Sequence, residues 1–168
     1  MDTQLASPGC NALRRGRVSL PSQSYLLTTV THGRVPIFLN PEVALATCRR
    51  IGEASLWRNA RLLCWVLMPD HWHALFALVA PWTLSKFMHD MMSFVGARTQ
   101  RQISANGTRW QGSYYDTLVK TAKQFSYVAD YIEQNPVAKG LVEQPDQWRA
   151  SSAHRVDLVT DPWPWFYD

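Results

Sequence analysis

The chain has 168 residues, of which 46% are hydrophobic and 18% charged, which indicates one folded domain rather than a disordered or membrane-spanning protein. The formal charge of +4 and the pI of about 9.1 suit a polyanionic partner better than a basic one. No apolar run approaches the length of a membrane span, and Cys10, Cys48 and Cys64 lack metal-type spacing. The odd number of cysteines and the expected burial of Cys64 in a strand favour a reducing compartment. We therefore expect a soluble, cytoplasmic protein.

The residue patterns predict four strands and three helices. Residues 1–22 mix Ser, Pro and Gly with three arginines and are expected to form a flexible basic leader. The predicted strands are apolar or β-branched runs at 25–31, 61–68, 71–79 and 114–120. Asn40 and Pro41 predict the start of a first helix that ends near Trp57.

The remaining two helices follow the third and fourth strands. Thr83 is expected to cap a long second helix, and Thr121 opens a third helix that Pro136 should end. The order of the first six elements is that of a ferredoxin-like (split βαβ) α+β fold, with helices on one face of a four-stranded antiparallel sheet. We assign residues 23–152 to this domain and residues 153–168 to an aromatic C-terminal tail.

Two histidines stand two residues apart at the start of the third predicted strand. Side chains at such spacing project from the same face of a strand, so His71 and His73 present two imidazoles side by side. Histidine is the commonest metal ligand, and the pair would supply half of a metal site. The alternative is a pair of hydrogen-bonded core residues.

The third predicted helix carries Tyr131 and Asn135 on one side, four residues apart and flanking its apolar stripe. Asn135 offers a hard oxygen that could complete a site with the two histidine nitrogens. Such a ligand set, with open positions, favours divalent Mg²⁺ or Mn²⁺ over zinc. The alternative for Tyr131 is a boundary residue with a packed ring and a solvated hydroxyl.

Three sequence strings together resemble the single-tyrosine HUH transposases, and most closely the REP-associated tyrosine transposases of bacteria. The resemblance runs from about Tyr25 to Ser152. The strings are MPDHWH at 68–73, WQGSYYD at 110–116 and YIEQNPVAKGLV at 131–142. Two departures from the family pattern are Asp70, where Asn is usual, and Trp72, a bulky residue between the histidines.

The resemblance implies an HUH-type nuclease core that acts on single-stranded DNA, often on hairpin-forming repeats. His71, His73 and Asn135 would hold the metal ion, and Tyr131 would be the nucleophile. The rival tyrosines lack a carboxamide four residues later and are expected to be core or base-stacking residues; they are Tyr114, Tyr115 and Tyr127. The implied activity is that of a transposase, which cleaves DNA through a 5′-phosphotyrosyl intermediate and transfers the strand. We expect a monomer, as in the repeat-associated type, with a homodimer as the alternative.

DNA binding is expected from cations on phosphates and from exposed aromatic rings on bases. The candidates are Arg109 and Trp110, in and after the loop before the fourth strand, with Arg98 and Arg101 on the second helix behind them.

Two other functions fit the same sequence. A ferredoxin-like sheet could bind single-stranded nucleic acid without catalysis, although the RNP-type pattern is absent. A metal-dependent hydrolase could use activated water instead of a tyrosine. A covalent protein–DNA adduct would separate the transposase from both.

Overall fold

The computed structural model describes residues 23–104 and 110–154, with the backbone alone for residues 95–104. The predicted leader (1–22) and residues 155–168 of the predicted tail lie outside the described residues. The elements are β1 (Ser24–Thr31), α1 (Pro41–Ile51), β2 (Ala60–Leu67), β3 (His71–Leu78), α2 (Leu84–Ser104), β4 (Trp110–Val119) and α3 (Ala122–Ala138). No helix within these residues is both long and apolar enough to cross a bilayer.

The four strands form one antiparallel sheet in the order β2-β3-β1-β4. The predicted ferredoxin-like α+β fold is confirmed. The expectation that the helices lie on one face only is wrong, because α1 and α2 pack on one face while α3 packs on the other. The edge strand β2 requires this arrangement, since it is buried along nearly its whole length and so is apolar on both faces.

The α1/α2 face of the sheet carries the larger core, which is rich in aromatic rings. Trp72 is 1% exposed there and meets the ring of Trp57 with centroids 6.5 Å apart. The bulky residue between the two histidines therefore packs into the core on the far side of the sheet from them. The smaller core joins the apolar face of α3 to β2 and β3 through Phe125, Val128 and Ile132.

The helix starts follow the predicted capping chemistry. The side chain of Asn40 accepts hydrogen bonds from two backbone amides of the first turn of α1, and Thr121 Oγ1 accepts one from Gln124, 3.2 Å away. Two predicted ends are wrong: α1 stops at Ile51, and α3 runs through Pro136 to Ala138. Pro136 lies in the last turn of α3, where a missing N–H costs a single intrahelical hydrogen bond.

The turn between β2 and β3 is tied to the segment that follows β1. The backbone N–H and the hydroxyl of Thr31 both donate to the carbonyl of Asp70, at 2.8 and 3.0 Å. The N–H of Phe38 donates to the carbonyl of Pro69 at 3.0 Å. These bonds fix the start of β3, and with it the strand register that places His73 opposite Thr28.

The segment after α3 covers the outer edge of β2. The N–H of Leu67 donates to Ala150 and the N–H of Ser152 donates to Trp65, at 2.8 and 2.9 Å. The indole N–H of Trp148 adds a bond to the carbonyl of Leu67 at 2.9 Å. This edge of the sheet is therefore protected from pairing with another chain.

The thiol of Cys64 allows an alkaline test of the α3 core. Burial raises its pKa to about 12, with Glu133 adding to the effect and the hydroxyl of Ser152 opposing it. Folding therefore disfavours the thiolate, so the contribution of Cys64 is constant below about pH 9 and falls as the pH rises toward 12, by up to about 1.4 kcal/mol per pH unit. Urea unfolding of Cys64→Ala should show a shallower loss of stability than the wild type across that interval. Parallel losses in the two proteins would contradict the burial of an uncharged thiol.

Candidate metal centre and tyrosine

His73 lies in the middle of the sheet with its ring on the α3 face. The side chain is 5% exposed, and its Nδ1 lies 2.8 Å from Oγ1 of Thr28 on the neighbouring strand. The strand register explains the contact, since Thr28 is the residue directly opposite His73 in β1. One nitrogen of the ring is thus occupied by the sheet, and Nε2 is directed toward α3.

Tyr131 meets His73 from α3. Its hydroxyl lies 3.4 Å from Nε2 of His73, a long hydrogen-bond distance, and the two ring centroids are 5.3 Å apart. Tyr131 is 44% exposed, so its ring is open to solvent on one side. The structure therefore brings together the phenol and the histidine that are 58 residues apart in the sequence.

His71 stands beside His73, with ring centroids 4.7 Å apart. Its Nδ1 is hydrogen-bonded to Oδ1 of Asp70, and Oδ2 of Asp70 accepts from the guanidinium of Arg34 at 3.0 Å. Burial opposes ionisation of Asp70, but the hydrogen bonds and charges of His71 and Arg34 outweigh it and lower the pKa of Asp70. Asp70 is therefore a carboxylate at neutral pH.

Asn135 lies one helical turn after Tyr131 and is 6% exposed. Its side-chain oxygen is buried and has no hydrogen-bond partner among the described residues. An unsatisfied buried acceptor costs about 1–3 kcal/mol, so a hydrogen-bond donor or a cation at this oxygen would stabilise the fold. The described residues contain no group of three His, Cys, Asp or Glu side chains that could hold a metal ion. A third protein ligand beside the histidine pair would therefore be of another type, and the buried amide oxygen of Asn135 is chemically suited to that role.

The electrostatics of His73 suit a ligand better than a base. Burial and, to a smaller extent, the neighbouring His71 lower its pKa to about 4. The ring is then neutral at pH 7, with a lone pair available and no proton to displace. The same shift makes it a poor acceptor for the proton of a phenol, whose pKa in water is near 10.

Of the predicted DNA-binding residues, one is buried and the side chains of the other three are outside the described residues. Trp110 is 9% exposed and packs on Phe38 with ring centroids 5.2 Å apart, so the expectation of an exposed stacking ring is wrong. Trp110 begins β4 with its side chain in the larger core. Arg98 and Arg101 lie on α2 but their side chains are outside the described residues, as is all of Arg109.

Two further residues lie near the site. Tyr127, a rival nucleophile by sequence, lies one turn before Tyr131 on α3 and is 73% exposed, so it is not a core residue. Arg34 was not singled out by the sequence analysis, because its contact with Asp70 depends on the tertiary fold.

The comparisons with known proteins identify the family of the chain. Residues 19–135 match the family model described as "Transposase IS200 like". A REP-associated tyrosine transposase from Escherichia coli K12 is 30% identical over 100 residues, which is 58% of this chain and 57% of that protein. The match thus spans little more than half the length of that relative.

Two solved structures share the fold. One is described as a REP-associated tyrosine transposase bound to a REP hairpin; it is 20% identical, covers 90% of each chain and has a TM-score of 0.65. The other is a candidate transposase from Deinococcus radiodurans, 19% identical over 72% of this chain and 96% of that one, with a TM-score of 0.53. The predicted resemblance is confirmed. Since the family match covers residues 19–135, well over half of its length, the chain belongs to the IS200-like transposase family.

Proposed function

We propose that the protein is a metal-dependent endonuclease and strand transferase for single-stranded DNA, with Tyr131 as its nucleophile. The observation that carries the proposal is the 3.4 Å approach of the Tyr131 hydroxyl to Nε2 of His73. His71, His73 and Asn135 would hold Mg²⁺ or Mn²⁺, and the oxygen of Asn135, which has no partner within the described part of the chain, supports that assignment. Bound there, a divalent cation would neutralise charge on a phosphate oxygen beside the tyrosine.

The reaction conserves the energy of the phosphodiester bond. The oxygen of Tyr131 attacks phosphorus and loses its proton, a bond from tyrosine to the 5′-phosphate forms, and the bond from phosphorus to the 3′-oxygen breaks. The leaving strand takes up a proton and ends in a 3′-hydroxyl. A second 3′-hydroxyl can then attack the phosphotyrosine, which joins the strands and restores Tyr131. The pKa of His73 disfavours that residue as the base for the first step, so solvent water is the better candidate.

The DNA substrate we propose is a single strand next to a hairpin. The structural relative at TM-score 0.65 is described as bound to a REP hairpin. The net charge of +4 suits this partner. Because His73 and Tyr131 meet within one chain, the site needs no residue from a second copy, and this supports a monomer.

One gel experiment tests the proposal against both alternatives. The protein is incubated with Mn²⁺ and a hairpin oligonucleotide that carries a single-stranded flank and a label at one end. A 3′-end label should appear in an adduct that survives denaturant, while a 5′-end label should appear in a free fragment; chelation of the metal should abolish both. Metal-dependent cleavage without an adduct would instead indicate a hydrolase, and binding without cleavage would indicate a non-catalytic module.

Tyr127 is the residue we expect to stack on a base next to the cleaved phosphate. It is 73% exposed, one turn from Tyr131, and exposed Lys123 lies a further turn away on the same side of α3. Tyr127→Ala should weaken binding of the single-stranded flank by about tenfold, since a base–aromatic stack contributes roughly 1–3 kcal/mol. The measurement is the dissociation constant of a labelled oligonucleotide at several salt concentrations.

The salt series separates stacking from charge. Tyr127→Ala should lower affinity equally at all salt concentrations, and Tyr127→Phe should restore it. Lys123→Ala should instead reduce the slope of log affinity against log salt by about one. If Tyr127→Ala binds like the wild type, the bases do not lie on this face of α3.

A further inference from the structure

We propose that Arg34, Asp70 and His71 form a positioning relay that sets the tautomer and the ring orientation of His71. We call this set the Arg34–Asp70–His71 relay. Its use in holding a metal ion depends on the proposed function, but the relay itself is a property of the metal-free chain.

The contact between Asp70 and His71 determines the tautomer. Oδ1 of Asp70 is hydrogen-bonded to Nδ1 of His71. A carboxylate can only accept a hydrogen bond, so Nδ1 must carry the hydrogen and Nε2 of the neutral ring keeps its lone pair. An imidazole in water prefers the opposite tautomer. The carboxylate therefore prepares His71 to bind through Nε2, as carboxylates behind metal-binding histidines do.

Arg34 holds the carboxylate in place. Its Nη1 lies 3.0 Å from Oδ2 of Asp70, so each carboxylate oxygen has its own partner and the group cannot rotate freely. The backbone of Asp70 is also fixed, because its carbonyl accepts two hydrogen bonds from Thr31. An amide at position 70 would replace one of these two acceptor oxygens with an NH₂ donor, so it could not reproduce both bonds.

The backbone of Arg34 supports a role for this residue. Its φ is 53°, in the left-handed region that residues with a side chain rarely adopt, and it follows Gly33 with a φ of 65°. Strained conformations of this kind persist where the surrounding structure holds them, and they cluster at functional sites. Here the strained turn places an otherwise exposed guanidinium on Asp70.

The direct test is the tautomer of His71 in the metal-free full-length protein. Long-range ¹H–¹⁵N NMR at about pH 8, where histidine is neutral, should show hydrogen on Nδ1 of His71 in the wild type. The signals are assigned by their loss in His71→Gln. Asp70→Ala should move the hydrogen to Nε2 while the signals of His73 and the circular dichroism stay unchanged. If His71 of a folded Asp70→Ala variant keeps its hydrogen on Nδ1, the relay is refuted.

The second test measures Mn²⁺ binding by titration. It shows whether Arg34 affects the metal site through Asp70. Asp70→Ala should weaken binding roughly tenfold to hundredfold, and Arg34→Ala by about threefold to tenfold. The double variant should match Asp70→Ala alone, because Arg34 acts through Asp70. The matched control is Arg50→Ala. It removes an arginine of α1 that pairs with Glu53, and it should leave Mn²⁺ binding unchanged.

Two results of the Mn²⁺ titration would also overturn the proposal. Full additivity of the Arg34 and Asp70 effects would show that Arg34 does not act through Asp70. An equal loss in Arg50→Ala would show that any lost surface cation has this effect. A wild type that binds no Mn²⁺ would refute the metal site of the proposed function, while the NMR measurement would still decide the relay.

Discussion

Tyr131→Phe should abolish the covalent protein–DNA adduct and reduce DNA cleavage at least about a thousandfold, because it removes the oxygen that attacks phosphorus. The substitution deletes one atom from a side chain that is 44% exposed, so folding stability should change by less than about 0.5 kcal/mol. Affinity for DNA and for Mn²⁺ should stay within about twofold of the wild type. The measurement is the fraction of a 3′-end-labelled hairpin that becomes attached to protein.

Tyr127→Phe is the matched control for this experiment. It makes the same substitution one turn away on the same helix, at a residue that is 73% exposed. The adduct should form at close to the wild-type level. An adduct that persists in Tyr131→Phe, or that disappears in Tyr127→Phe alone, would assign the nucleophile to a different tyrosine.

Asn135→Leu should separate metal binding from stability. The buried oxygen of Asn135 has no partner among the described residues, so its replacement by an apolar side chain of similar size should leave the metal-free protein as stable or more stable. Mn²⁺ affinity should fall at least about a hundredfold, and the rise in Tm on addition of Mn²⁺ should disappear. Calorimetry with and without Mn²⁺ measures both effects.

Gln134→Leu serves as the control, because it makes the same exchange at the neighbouring exposed carboxamide of α3. It should leave the Mn²⁺-induced rise in Tm intact. If Asn135→Leu keeps that rise, or strongly destabilises the metal-free protein, the amide oxygen has another partner and is not a ligand.

Local periodicity explains what the sequence could predict about the site. The two-residue period of a strand puts His71 and His73 on one face, and the helical period puts Tyr131 and Asn135 on one side of α3. Neither period says which face of the sheet α3 covers. That choice depends on β2, where Leu63 and Cys64 both turn toward α3 at a bulge in the pairing with β3.

Longer-range contacts explain what the sequence could not predict. Trp110 is a residue type that is suited to stacking on bases, but its position opposite Thr31 on β1 places its ring against Phe38. Arg34 meets Asp70 across 36 residues, and only the folded chain shows the pair. The residues that carry chemistry could therefore be named from their types and spacing, whereas those that orient them could not.

Successive side chains of β3 point to opposite faces of the sheet. The number of residues in the turn before β3 therefore decides which face each side chain takes. His71 and His73 face α3, while Trp72 between them fills the aromatic core. One residue added to the turn at Met68–Asp70 would exchange the two sets, placing the imidazoles among aromatic rings and an indole beneath Tyr131. A change by two residues would preserve the assignment of faces but would move His73 past Thr28, its partner on β1, and His71 past Val30. Insertions and deletions, which most loops tolerate, should therefore not be tolerated in this turn.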